Sequence, residues 1–156
     1  MGDYHPMEMR RLGSTEIMIS PLGLGTVKFG RNEQVKYPSH FNIPDDKAVQ
    51  HILSLAKEHG INLLDTAPAY GTSQERIGKL LPGKRDEWVI VSKVGEFFEH
   101  GKSRFDFSFN STIKVIEETL STLKTDYLDV ALIHSDGNDL QILEQEGAAD
   151  ALRTLK

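Results

Sequence analysis

The chain has 156 residues, of which 38% are hydrophobic and 26% are charged, and its net charge is -5. This composition is typical of a globular domain, and the acidic balance argues against nucleic acid or an anionic membrane as partner, because both require a basic face. No apolar run is long enough to span a membrane. The absence of cysteine excludes a disulfide framework, a thiolate nucleophile and cysteine-ligated zinc. Together with the polar N-terminal segment Met1–Arg10, it favours a cytoplasmic protein.

The first half of the chain predicts a hairpin followed by strands and helices in alternation. Alternating apolar residues and a turn at Gly13 place the hairpin at 8–20. After it we expect a strand at Leu22–Thr26, a loop over 27–44, a helix from Asp45 or Asp46 to about His59, a strand over 61–65, a loop over 66–72, and a helix capped by Ser73 and ended by Pro82 and Gly83.

The second half continues the same alternation. Here we expect a strand over 88–93, a loop over 95–110, an amphipathic helix from Ser111 to Lys124, a strand over 127–133, and a last helix from about Leu140. The triplet Asn110-Ser111-Thr112 fits a glycosylation acceptor, but we interpret Asn110 or Ser111 as the helix cap. Strands that alternate with helices imply a parallel sheet with right-handed crossovers. We therefore predict an α/β fold, a single domain over 1–156 with about half of the eight units of a (β/α)8 (TIM) barrel.

Three of the predicted strands run into a polar residue that is capable of chemistry. These residues are Asp65, Lys93 and His134. Because the carboxyl ends of parallel strands lie on one edge of a sheet, we expect the three side chains to converge. Tyr70 lies on the loop that leaves the strand of Asp65, so it can return over the same edge.

These four side chains together suit the reduction of a carbonyl group. Tyr70 is a candidate general acid for a developing alkoxide, and His134 can orient the same oxygen. Lys93, beside Asp65, can stabilise a phenolate. Taken singly, each residue has a structural explanation, as a capping aspartate, a solvated lysine, a structural histidine or a packed loop aromatic. Their common position is what favours catalysis.

The stretch Leu64–Gly78, with the sequence LDTAPAYGTSQERIG, resembles the signature that aldo-keto reductases carry after their second barrel strand. Val91-Ser92-Lys93 and Leu132-Ile133-His134 resemble the lysine and histidine strand ends of that family, and the opening hairpin resembles the plug of its barrel. The resemblance implies a catalytic tetrad of Asp65, Tyr70, Lys93 and His134, with Tyr70 as proton donor.

The resemblance also implies a cofactor, NADPH or NADH, bound extended across the strand ends. Gly25, Thr26 and Asp65 would then lie near the nicotinamide and its ribose, while the rest of the cofactor site would lie outside this chain. The expected substrate is a small-molecule carbonyl compound, that is, an aldehyde, a ketone or a sugar. We expect no metal site, since His51 and His59 lie two helical turns apart.

A half-barrel would also leave apolar strand faces and strand edges uncovered. We expect this exposure at Leu63, Val89, Val91, Val130 and Leu132. The chain is therefore expected to form a homo-oligomer or to pair with a C-terminal half. The alternative to an enzyme is a non-catalytic half-barrel or a regulatory module that binds nicotinamide.

Overall fold

The computed structural model describes residues 7–156, so the first six residues of the polar N-terminal segment lie outside the described part. The described chain begins with an antiparallel hairpin of β1 (Arg10–Arg11) and β2 (Met18–Ile19). Gly13, with a φ of +58°, lies in its turn. The predicted hairpin is confirmed.

Four strands form a parallel sheet, which is the framework of the molecule. They are β3 (Gly23–Gly25), β4 (Leu63–Asp65), β5 (Val89–Val94) and β8 (Val130–Ile133), in the order β3-β4-β5-β8. Their register places Gly25 beside Asp65, and Lys93 beside Leu132. The predicted fold class is confirmed, since these strands with their helices are parallel (β/α) units, and a closed barrel has eight.

Five α-helices accompany the strands in the described part. They are α1 (Asp46–Glu58), α2 (Ser73–Leu80), α3 (Phe109–Leu123), α4 (Asp139–Gln145) and α5 (Ala148–Leu155). Asp45 caps α1 by accepting a hydrogen bond from the Ala48 N–H, and Gly60 ends that region with a φ of +76°. Short 3-10 turns form at Val27–Phe29, Pro68–Tyr70 and Arg85–Glu87. Within residues 7–156, no helix combines the length and apolar character needed to cross a membrane.

One predicted loop is wrong in its central part. Residues 95–110 contain a second antiparallel hairpin, β6 (Glu96–Glu99) and β7 (Lys102–Phe105). The turn between these strands places His100 and Gly101 at positive φ. Cross-strand contacts hold the pair together, including the Arg104 guanidinium 4.2 Å from the centre of the Phe97 ring. A pair of a charged and an aromatic residue, such as Arg104 with Phe97, does not produce the apolar alternation by which strands are predicted.

Two predicted helix caps and the continuity of the last helix also differ from the structure. The side chain that caps α3 belongs to Ser108, not to Asn110 or Ser111, which lie inside the helix. Ser73 does not cap α2, because its hydroxyl is buried and bonded to Thr26 instead. The last helix is interrupted at Gly147, whose φ of +87° separates α4 from α5.

The core lies between the sheet and the helices that pack on it. Its largest cluster includes Val49, Leu53, Leu64, Ile77, Trp88 and Ile90. Of the apolar strand residues expected to be exposed, Leu132 is 44% exposed, but Val89 and Val91 are buried. Because β5 has a neighbouring strand on each side, its side chains are shielded by those of the flanking strands.

Candidate active site

Asp65, Tyr70, Lys93 and His134 lie together at the carboxyl edge of the parallel sheet. Asp65 ends β4, and Tyr70 ends the 3-10 turn that follows it. Lys93 is the penultimate residue of β5. His134 follows β8, and its backbone N–H donates to the carbonyl of Val94, at a distance of 2.8 Å. The parallel arrangement therefore produces the convergence expected from the sequence.

The Lys93 ammonium is fixed by two oxygens from the neighbouring strand. Its Nζ lies 2.7 Å from Asp65 Oδ1 and 3.0 Å from the carbonyl oxygen of Thr66. The lysine side chain is only 12% exposed, whereas that of Asp65 is 41% exposed. The positive charge is thus partly shielded from water, and its carboxylate partner is still solvated.

The Tyr70 ring lies close to both this ammonium and the His134 imidazole. Lys93 Nζ is 5.0 Å from the centre of the Tyr70 ring. The rings of Tyr70 and His134 meet edge to face, with centroids 6.1 Å apart and an interplanar angle of 87°. Both contacts are made by the face or edge of the Tyr70 ring, so the phenol stands beside a cation on one strand end and an imidazole on the next.

The His134 ring is half-buried and faces an acidic side chain. Glu96 Oε2 lies 2.9 Å from Nδ1, but out of line with the ring N–H, so this contact is an electrostatic pair rather than a well-formed hydrogen bond. Burial lowers the pKa of His134 below 6.5, and the charge of Lys93 acts in the same direction. Glu96 and Asp65 oppose this change without reversing it. The ring is therefore neutral at neutral pH.

Two glycines hold the turn that presents Tyr70. Gly30 and Gly71 approach so closely that a Cβ at Gly30 would overlap the carbonyl oxygen of Tyr70, and a Cβ at Gly71 would overlap that of Gly30. Gly71 also has a φ of +60°. The loop after β3 and the Tyr70 turn are consequently locked backbone to backbone. The sequence alone does not single out either glycine, because only the contact between the two loops gives them a role.

Gly25 and Thr26, the two residues expected near a cofactor, differ in their surroundings, since Gly25 is open and Thr26 is buried. A Cβ at Gly25 would meet no atom within 4 Å, so the end of β3 is open. Thr26 is fully buried, donates to the carbonyl of Asp65 at 2.8 Å and accepts from Ser73 at 2.8 Å. The hydroxyl of Thr26 therefore joins strand ends, and its part in a cofactor site stays a prediction.

Two surface cavities elsewhere in the described part are lined by Asp46 with residues of α2, and by the loop 32–41. Neither contains the four side chains. Among residues 7–156, no group of three or more acidic or histidine side chains is arranged to bind a metal ion.

The comparisons with known proteins decide the family. The model of the aldo/keto reductase family matches residues 21–156. This chain belongs to the aldo/keto reductase family. The family predicted from the signature is therefore confirmed.

Individual relatives agree with this assignment. A Pseudomonas aeruginosa structure described as an aldo-keto reductase is 53% identical, with a TM-score of 0.86, and the match covers 95% of this chain and 55% of that one. L-galactose dehydrogenase of Arabidopsis thaliana is 33% identical over 82% of this chain and 38% of its own length. D-arabinose 1-dehydrogenase of Saccharomyces cerevisiae is 29% identical over 88% of this chain and 38% of its own length. The aldo/keto reductase chain thus spans about two fifths of these curated relatives.

Proposed function

We propose that this chain carries the proton-transfer centre of an oxidoreductase that interconverts carbonyl compounds and alcohols. Tyr70 is the general acid in reduction, and Asp65, Lys93 and His134 support it. The observation that carries the proposal is the Lys93 ammonium, fixed 2.7 Å from the Asp65 carboxylate and 5.0 Å from the centre of the Tyr70 ring. An ammonium in this position stabilises the phenolate that remains when Tyr70 gives up its proton.

The four side chains would divide the work of reduction among them. Tyr70 donates its phenolic proton to the carbonyl oxygen as a hydride reaches the carbonyl carbon. Lys93 stabilises the phenolate, and Asp65 holds Lys93 in place. His134 contributes a polar ring beside Tyr70, which can donate to the carbonyl oxygen when it is protonated and accept from the alcohol hydroxyl when it is neutral. In the oxidation of an alcohol the Tyr70 phenolate accepts the proton, and the same groups act in reverse.

A nicotinamide cofactor, NADPH or NADH, would supply the hydride. The open end of β3 at Gly25 and the partly exposed carboxylate of Asp65 lie side by side at the strand edge, and they fit a flat ring with an attached ribose. Thr26 would fix the backbone of Asp65 under the bound ring, because its hydroxyl donates a hydrogen bond to the Asp65 carbonyl oxygen.

We further propose a sugar or simple aldehyde as the carbonyl substrate. The names of two relatives support this class, since L-galactose dehydrogenase and D-arabinose 1-dehydrogenase act on sugars. The partly exposed Asp65 carboxylate and the polar His134 ring beside Tyr70 also suit a polar substrate.

We also propose that the chain associates through its sheet edge. Among residues 7–156, β8 has a strand neighbour on one side only, and Leu132 in it is 44% exposed. Unpaired edges and exposed apolar side chains favour pairing with another strand. The partner would be a second copy or a C-terminal half of the barrel. Light scattering on the purified chain tests this, and a well-folded monomer at all concentrations would contradict it.

Two assays on the purified chain test the catalytic proposal. The first is a titration followed by NADPH fluorescence, and the second is NADPH consumption with a reactive aldehyde. Tyr70→Phe should lower turnover by about 10²–10⁴-fold while leaving binding unchanged. The matched control is Tyr127→Phe, a half-exposed tyrosine at the opposite end of β8. Unchanged turnover in Tyr70→Phe would remove Tyr70 from its role, and binding without turnover in the wild type would favour the regulatory module.

A further inference from the structure

A buried ion pair lies directly behind the site and belongs to none of the four predicted residues. Arg31 Nη1 is 3.2 Å from Glu96 Oε1, and their side chains are only 8% and 10% exposed. Removing two charges from water is costly, so a buried pair is weak evidence for stability. Its contacts indicate another role, because each partner reaches a different catalytic candidate.

Arg31 ties down the turn that carries Tyr70. Its Nη1 donates to the carbonyl of Ala69 at 3.1 Å, and Ala69 directly precedes Tyr70. Its Nε donates to the carbonyl of Glu33 at 2.9 Å, and the guanidinium stacks 3.6 Å from the centre of the Phe98 ring. One side chain therefore connects the loop after β3, the Tyr70 turn and strand β6.

Glu96 connects the same arginine to His134. Its Oε1 accepts from Arg31 and from the Ser103 hydroxyl, the latter at 2.6 Å, while Oε2 lies 2.9 Å from His134 Nδ1. The two oxygens of one carboxylate thus face opposite partners. Because Nδ1 is buried against Glu96, Nε2 is the ring nitrogen left for a ligand.

We propose that Arg31 and Glu96 are positioning residues, which fix the Tyr70 turn and the His134 ring relative to each other. The carboxylate charge of Glu96, 2.9 Å from Nδ1 of His134, favours a proton on that nitrogen and so determines what Nε2 presents to the substrate. In the neutral ring Nε2 is then an acceptor, suited to an alcohol hydroxyl, and in the protonated ring it is a donor, suited to a carbonyl oxygen. The catalytic part of this inference rests on the proposed function, but the structural part does not.

The charges around His134 determine how it responds to changes in this pair. Glu96 and Asp65 raise its pKa, whereas Lys93 and Arg31 lower it, as does burial, which is the largest influence. The Tyr70 ring packs against the imidazole edge to face. Loss of the Glu96 charge would therefore remove the nearest group that favours the protonated ring.

The test is an NMR titration of His134 in the purified chain, with its ring signals assigned from a His134→Gln variant. Glu96→Gln should lower the pKa of His134 and abolish the preference for a proton on Nδ1, which the ring nitrogen shifts report. Glu99→Gln, the same change at an exposed residue of β6, should do neither. An unchanged pKa and an unchanged tautomer in a folded Glu96→Gln variant would overturn the proposal.

A variant of Arg31 tests whether this side chain positions both the Tyr70 turn and His134. Arg31→Lys keeps the charge but loses the forked donors, so the amide signals of Tyr70 and His134 should both shift.

If Glu96→Gln does not fold, the His134 tautomer is measured in the wild type. A neutral ring with its proton on Nε2 would contradict the proposal. In an active enzyme, Glu96→Gln should also displace the pH profile of kcat to lower pH. If the wild type is inactive but gives the expected NMR result, the proposed function is wrong and the positioning by Glu96 still holds.

Discussion

The Lys93 ammonium and the Asp65 carboxylate, from neighbouring parallel strands, meet at 2.7 Å on the edge where both strands end. The contact leaves the ammonium facing the Tyr70 ring, with the lysine 12% exposed. The pair therefore positions a charge more than it stabilises the fold, since an ion pair with a solvated partner contributes little to stability.

Replacement of Lys93 tests this positioning. Lys93→Met keeps the length of the side chain and removes its charge, so turnover should fall by about 10²–10⁴-fold while the chain stays folded, because Asp65 is 41% exposed and remains hydrated. Steady-state kinetics with circular dichroism measure both effects. Lys57→Met is the matched control, since Lys57 also forms a 2.7 Å ion pair, with Glu87 away from the site. Equal losses of turnover in the two variants would contradict the role of Lys93.

The glycine contact behind Tyr70 predicts a difference between two similar substitutions. Gly71 and Gly60 both have positive φ, but only at Gly71 would a Cβ overlap another backbone atom, the carbonyl oxygen of Gly30. Gly60→Ala should cost about 1–2 kcal/mol from backbone strain alone. Gly71→Ala should cost about 1–3 kcal/mol more, because the two loops must separate and because Gly71, with φ +60° and ψ -122°, lies outside the left-handed helical region. Urea unfolding measures both, and equal costs would show that the Gly30 contact is unimportant.

The lowered pKa of His134 predicts a pH-dependent contribution to stability. The folded pKa lies below the ordinary value of 6.5, so the unfolded chain takes up this proton first as the pH falls. The free energy of unfolding should therefore decrease as the pH drops from about 6.5 through the folded pKa, and this contribution should be constant above 6.5. His134→Gln should remove this dependence, whereas His51→Gln, on exposed α1 surface, should retain it. Parallel stability curves for wild type and His134→Gln would contradict the prediction.

The sequence was sufficient for the parallel sheet and for the convergence of the four site residues. Apolar runs that end in Asp65, Lys93 and His134 fix both the strands and the edge that they share, since parallel strands allow only one arrangement of their carboxyl ends. The cap of α1 was also predictable, because Asp45 directly precedes the periodic residues.

The features that were predicted wrongly or not at all depend on contacts between segments that are distant in the sequence. Two of the four residue pairs between strands β6 and β7 set a charged residue opposite an aromatic one, so their alternation carries no apolar signal. Ser73 has the composition of a cap, yet its hydroxyl bonds to Thr26, a partner that only the fold brings near. Arg31 and Glu96 were missed for the same reason, as they are 65 positions apart in the chain.

The most direct test of the catalytic account is the transfer of deuterium from a specifically labelled NADPH to an aldehyde. The purified chain, or the complete barrel if a C-terminal half is required, should place the label on the carbinol carbon of the alcohol product. Tyr70→Phe should bind the labelled cofactor but transfer the label at least about 10²-fold more slowly. An alcohol without label, or equal transfer by Tyr70→Phe, would contradict the assignment of this strand edge as a reductase site.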